Sequence, residues 1–266
     1  MSTTIRTAGL FDRHLSPRRF IKLLRADLIQ YRSSLSIAAT AVFGATLVLL
    51  TAFAPLSGGW QPHLIFLPGI LFIGGLLITS YSFAELGDPV RRAAYLLVPA
   101  STFEKVAARL LLTLVAYPLA VLALYWLISL VAAGVGDLVW GRSFAVYNPF
   151  TAETWRLLTV YPMVHAIFFL GAVWFRKGAA FKTVLAVVAA QIGFVIVAGF
   201  ILRIVFSGFF EGFSFTPSMD IRLKLIDAGW LTSDIWAQIG RLLTYLLFGP
   251  WFWVISYHRL ADTESR

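Results

Sequence analysis

The sequence predicts an all-α polytopic membrane protein, from its apolar content, the gathering of that content into long runs, and the confinement of charge between them. Apolar residues make up 59% of the 266 and charged residues 13%, with a mean hydropathy of +0.81, well above the range of soluble domains. A spanning helix needs roughly 20 mostly apolar residues, because the hydrocarbon layer is about 30 Å thick and a helix rises about 1.5 Å per residue. Six segments meet that need, near Ser33–Ala54, Leu64–Ala84, Val106–Val135, Arg156–Phe175, Val184–Phe206 and Ile235–Tyr257. With the N-terminus cytosolic, the inside segments hold 16 of the 22 Lys and Arg and seven of the 13 Asp and Glu, so the whole net charge of +9 falls on one side. Lys and Arg in short cytosolic loops set topology in this way. The basic excess is therefore spent on orientation and on anionic lipid, and nucleic acid is not an expected partner.

Taken in order, residues 1–32 carry seven Lys or Arg and no apolar core of signal-peptide length, so no cleaved leader is expected. In "SPRRFIKLLRADLIQYR", Ser16 is a candidate N-cap and Pro17 suits the first helical position. At 3.6 residues per turn Phe20, Ile21, Leu23, Leu24, Leu28 and Tyr31 share a broad face, with Arg18, Arg19, Lys22, Arg25 and Arg32 mostly opposite; Asp27 and Ile29 break the pattern. A basic amphipathic helix of this kind lies in the headgroup layer and leads into the first span. "PLSGGWQPH", with an interfacial Trp60, makes the first two spans antiparallel neighbours.

Between spans two and three stands "ELGDPVRRAAYLLVPASTFEKVAAR". Asp88 and Pro89 form a helix start, predicting a short helix to about Leu97, and Pro99 disfavours its continuation. Ser101 with Glu104 three residues on is a capping box that starts a second helix. The third span contains Pro118, a site for a kink. The fourth contains Pro162 and His165, and a tight turn, "FRKGAAFK", leads to the fifth, which carries Gln191. A hairpin about that turn sets His165 and Gln191 at similar depth, as partners for an interhelical hydrogen bond worth about 0.6–2 kcal/mol or as the lining of a polar pathway. Arg109 and Arg203, near span ends, are expected to snorkel to the interfaces. Residues 219–230 suggest a short surface helix, and Trp251, Trp253, Tyr257 and Arg259 suit an inner interface.

The chain reads as one membrane domain, 1–266, with an interfacial segment 1–32, a bundle 33–257 interrupted by the cytosolic loop 85–105, and a tail 258–266. Both termini are expected to be cytosolic. The four His show no two-His zinc spacing, Cys is absent, and neither a serine elbow nor a phosphate-binding Gly-Lys loop occurs. No catalytic, metal or cofactor residue is assigned, and an enzyme is not expected.

Together these features resemble the membrane subunits of ABC-2-type ATP-binding cassette transporters. "YLLVPASTFEKVAARLL" is similar to the "LLPAS…EK" loop of a group of bacterial permeases of this kind, as is the closing "SYHRLADTE". The resemblance implies a bacterial cytoplasmic-membrane exporter subunit that pairs with a second copy or a homologous permease, powered by a separate ATPase. It assigns the docking of that ATPase to the segment from Asp88 to Leu97, with Glu85, Asp88, Arg91, Arg92, Tyr95 and Leu96 as contact residues. The residues alone leave two alternatives open: a non-transporting scaffold or sensor that docks a cytosolic regulator, and a secondary transporter.

Overall fold

The computed structural model describes residues 16–53, 62–141, 145–175, 177–205 and 234–264, and every regular element among them is helical. The expected surface helix at 219–230 and the turn bearing Trp60 lie outside these residues. Helix α1 spans Pro17–Phe53. Helix α2 runs through His63–Gly69, a π-helical turn Ile70–Gly74 and Gly75–Tyr81. A 3-10 turn, Ala84–Gly87, precedes the short α3, Pro89–Leu96. Helix α4 comprises Thr102–Leu110, a π-helical turn Leu111–Ala116 and Tyr117–Trp140. Helices α5, Ala152–Trp174, α6, Ala179–Val205, and α7, Asp234–Glu264, complete the set.

Among the described residues four helices are long and apolar enough to cross a membrane: His63–Tyr81, Thr102–Val139, Ala152–Trp174 and Ala179–Ile201. The apolar part of α1, Ser36–Ala52, is shorter, but it belongs to one unbroken helix of 37 residues. At about 1.5 Å per residue such a helix is about 55 Å long, which exceeds a bilayer core of about 30 Å by about the length of its basic first half. The amphipathic segment and the expected first span thus lie on one continuous helix.

The centre of the bundle is α2, α4 and α5, with α1 against α4 and α7 against α5. Near α3, Phe83, Leu86, Val106, Phe169, Ala172, Val173 and Leu260 form one buried cluster; farther along, Leu67, Leu71, Val121, Tyr125, Tyr147 and Tyr161 form a second. Tyr147, on the link between α4 and α5, folds back into the bundle, its hydroxyl 2.5 Å from Thr154 Oγ1 and its amide donating to Ser129 Oγ. Helix α4 stops at Gly141, whose φ of +61° closes the helix in a conformation that a Cβ disfavours. Along helix α6, Thr183, set against Gly171, is the sole buried residue among those described.

Two of the helix prolines, Pro68 and Pro118, have wide turns beside them. Pro118 lacks the amide that would bond four residues back, and the ladder immediately before it widens into the π-helical turn Leu111–Ala116. In α2 a π-helical turn likewise follows Pro68. Each wide turn frees a carbonyl that a tyrosine satisfies: Tyr161 OH donates to Thr113 O at 2.8 Å, and Tyr117 OH to Ile70 O at 2.7 Å. Both phenols need the adjacent glycines, since a Cβ on Gly74 would lie 2.3 Å from Tyr117 Oη and one on Gly75 2.6 Å from Tyr161 Cε2.

Candidate functional site at the end of the bundle that carries α3

The punctuation read in the loop is present in atoms. Asp88, in an extended conformation, accepts from Val90 N at 2.9 Å and caps α3, with Pro89 at its first position. Ser101 Oγ accepts from Glu104 N at 3.1 Å and Glu104 Oε2 from Ser101 N at 2.9 Å, which completes the capping box. The sequence did not show that Glu104 serves a second helix. Its other oxygen accepts from Ser16 N at 2.7 Å, at the start of α1, and Arg19 stands 3.5 Å away. Glu104 is fully buried. Burial alone would disfavour its charge, but the Ser16 and Ser101 amides, Arg19 and the Ser101 hydroxyl outweigh it and hold the carboxyl below its ordinary value.

One residue further on, Lys105 Nζ lies 2.9 Å from Glu264 Oε1 near the end of α7, and Thr102 Oγ1 donates to the other Glu264 oxygen. Lys105 also sits 4.9 Å over the Tyr95 ring. The start of α1 and the end of α7 therefore both fasten to the first turn of α4, and the described parts of the chain begin and end at one end of the bundle.

A second turn along α4, Arg109 Nη2 lies 3.1 Å from Asp27 Oδ1 and 3.2 Å from Glu85 Oε1. All three residues are buried, at 6%, 7% and 7% exposure in that order, so Arg109 does not snorkel to an interface. It is clamped between α1 and the 3-10 turn. Asp27 corrects the reading of α1 as well. Phe20, Leu23, Leu24 and Asp27 are its inward residues there, an i, i+3, i+4, i+7 stripe, whereas Ile21 and Leu28, expected on the apolar face, are exposed. The residue that broke the amphipathic pattern is the one the stripe delivers to Arg109. Burial pushes the Asp27 carboxyl above its ordinary value; Arg109 opposes the rise and Glu85 adds to it.

The docking residues assigned by resemblance divide in two. Glu85 is buried against Arg109, and the Tyr95 ring packs with the inner cluster, its hydroxyl buried with no hydrogen-bond partner among the described residues. Burial, with Arg109 acting against it, raises the Tyr95 hydroxyl above its ordinary value. Leu96 and Arg92 are half-buried, and Asp88 is committed to its cap. The outward face of α3 is instead Val90, Arg91, Ala93, Ala94 and Leu97, with Val90 at 79% and Leu97 at 82% exposure.

Deeper in the bundle His165 is fully buried, and its partner is Thr113. Thr113 Oγ1 donates to the Arg109 carbonyl at 2.7 Å, so it accepts from His165 Nε2–H at 2.8 Å, and Nδ1 keeps its lone pair. That nitrogen is buried with no hydrogen-bond partner among the described residues, as is Trp253 Nε1, whose ring lies 6.3 Å from the imidazole. Gln191 takes no part: it lies exposed on α6. The pairing expected from the hairpin fails because the buried face of α6 turns Thr183, not Gln191, toward α5. Among the described residues no His, Asp or Glu cluster has the make-up of a metal site.

No protein-family model, curated protein or solved structure matches this chain.

Proposed function

We propose that this chain is the membrane-spanning subunit of an ABC-2-type transporter, an exporter driven by a separate ATPase that docks on α3. The observation that carries this reading is the construction of α3. It is a short helix capped at its start, with a bare outward face of Val90, Arg91, Ala93, Ala94 and Leu97. Through its neighbours in the chain it is joined to three long helices: Glu85 reaches Arg109 of α4 and, through it, Asp27 of α1, while Tyr95 lies under Lys105, which holds α7. A load applied to the outward face can pass through these contacts to α1, α4 and α7.

Six spans with both ends cytosolic accord with this. The contacts of Ser16 and Glu264 with the same turn of α4 are consistent with an even number of crossings between them, and the basic side chains of the chain gather at the ends of the runs expected to meet there. In such a transporter, closure of the ATPase favours one arrangement of the helices by binding it better than the other, since only differential affinity shifts such an equilibrium. The partner surface that fits is apolar at its centre, for Val90 and Leu97, and acidic beside Arg91.

The test is to express the chain with an ATP-binding cassette ATPase from a neighbouring reading frame and to look for their co-purification in lipid nanodiscs. ATP hydrolysis is expected to rise when the chain is present and to lose that rise in Arg91→Glu with Arg92→Glu, and in Ala94→Pro, without loss of insertion. Full stimulation in these variants would refute the docking face. A stable complex with a partner that hydrolyses no ATP would mark a docking scaffold instead.

A further inference from the structure

The cations at the end of the bundle that carries α3 fall into two groups. Arg19, Lys105 and Arg109 face acids of the chain. Lys177, Lys182 and Arg259 are exposed, and among the described residues none of them makes an ion pair. Asp262, one turn beyond Arg259 on α7, does not pair with it.

These three surround the end of α5. The Arg259 guanidinium lies 4.8 Å over the ring of Trp174, the last residue of α5. Lys177 is in the turn that follows, and Lys182 is in the first turn of α6, its amide donating to the Gly178 carbonyl at 3.0 Å. Thr183, the next residue, sets α6 against Gly171 of α5, one turn before Trp174. Glu264, five residues after Arg259, holds Lys105, which places the group at the end of the bundle that carries α3.

The level of the group in a bilayer follows from the helices. Trp174 closes one helix long and apolar enough to cross a membrane, and Lys182 stands in the first turn of the next. Trp174 is 52% exposed, and Phe181 and Leu185 beside Lys182 are exposed as well. Exposed aromatic rings settle at the boundary between hydrocarbon and headgroups, and Lys and Arg stems extend from there to the headgroup charge. The anion available in that layer is a phosphodiester. In a zwitterionic lipid its charge is already balanced within the headgroup, whereas a lipid of net negative charge has a charge to share with these cations.

We propose that the end of α5, with Lys177, Lys182 and Arg259 around Trp174, binds an anionic phospholipid of the adjoining leaflet. Its phosphodiester lies among the three cations and its acyl chains run along the exposed side of α6. The site is apart from the outward face of α3, and it holds whether or not an ATPase docks there.

The test is fluorescence quenching of the full chain in phosphatidylcholine nanodiscs that contain a fraction of acyl-brominated lipid, either phosphatidylglycerol or phosphatidylcholine. The chain has nine Trp, so the Trp174 signal is taken as the difference from Trp174→Phe in each background. Brominated phosphatidylglycerol is expected to quench Trp174 at a lower fraction than brominated phosphatidylcholine. That preference should fall by about fivefold for each cation neutralised, and vanish when Lys177→Gln, Lys182→Gln and Arg259→Gln are combined. Arg18→Gln, Lys22→Gln and Arg25→Gln together remove as many exposed cations from α1 and should leave the preference unchanged. Lys177→Gln and Lys182→Gln, each alone and each at an exposed side chain, carry the test if the combined variant does not insert.

Equal quenching by the two lipids would overturn the proposal, as would a preference that survives neutralisation of the three cations. Loss of the preference in the α1 variant would show diffuse attraction to the membrane surface, and would overturn it too. So would displacement by excess inorganic phosphate at matched ionic strength, which would mark a site for soluble anions.

Discussion

Arg109→Met isolates the charge balance of this corner. The substitution keeps a long apolar stem and removes the guanidinium that Asp27 and Glu85 share, at 3.1 and 3.2 Å. Both acids are 7% exposed, so water cannot replace it without opening the packing. Removing one partner of a buried ion pair costs about 3–5 kcal/mol. For a chain of this size roughly 2–4 °C of melting temperature accompanies each kcal/mol, which gives a fall of about 6–20 °C. The assay is thermal unfolding in a mild detergent, followed by tryptophan fluorescence. The control is the triple change Asp27→Asn, Glu85→Gln and Arg109→Met, which removes all three charges and is expected to regain most of the loss, because the penalty lies in the unmatched acids and not in the missing pair. A melting temperature for Arg109→Met within about 2 °C of the parent, or a triple variant no better than the single one, would refute the reasoning.

The other expectations rest on separate contacts. Glu104→Ala removes the acceptor of both the Ser101 and Ser16 amides and should cost about 2–4 kcal/mol in the same melt, more than an ordinary lost cap. Because the Glu104 carboxyl is held below its ordinary value of 4.5, its contribution is complete above that value and lost as pH falls through the lowered one; Glu104→Gln should flatten that acid-side loss of stability. Gly75→Ala puts a methyl against the Tyr161 ring and should destabilise by about 1–3 kcal/mol, with slower repacking of α2 on α5 seen in hydrogen exchange. His165→Leu should lose about 0.6–2 kcal/mol through the bond to Thr113, while Gln191→Leu should leave the melt within about 0.5 kcal/mol; the reverse order would show that Gln191 is buried by a partner.

The starts of α3 and α4 were legible residue by residue, because a cap is a local matter. Asp88 binds an amide two residues away and Ser101 one three residues away, distances that any helix of this sequence reproduces. The long apolar runs fixed which segments are helices, and four of the six expected spans have the length and hydropathy on their own. The docking residues were half legible. Their place on α3 could be read, but which of them look outward could not, since eight residues of mixed character leave the inward face to be chosen by what the helix packs on.

Arg109 and His165 were visible as polar residues at or within spans, yet their partners were not. Glu85 lies 24 residues from Arg109, Thr113 lies 52 from His165, and Glu104 and Ser16 are 88 apart. Asp27 carried a signal, its break in the amphipathic face, but one acid in an apolar stripe has no meaning until the opposing helix supplies its cation.

What the sequence by itself determined is therefore the helical membrane class, the punctuation of the loop between α2 and α4, and the basic side of the bundle. Each rests on short-range hydrogen bonding or on partition between water and lipid, which act on every segment independently. The tertiary structure decided that one guanidinium is shared by two acids, that Glu104 fastens two helix starts, and that α6 turns Gln191 away from the bundle. These depend on the rotation of one helix about its axis relative to another, which apolar residues on every face of a spanning helix leave undetermined until the helices pack.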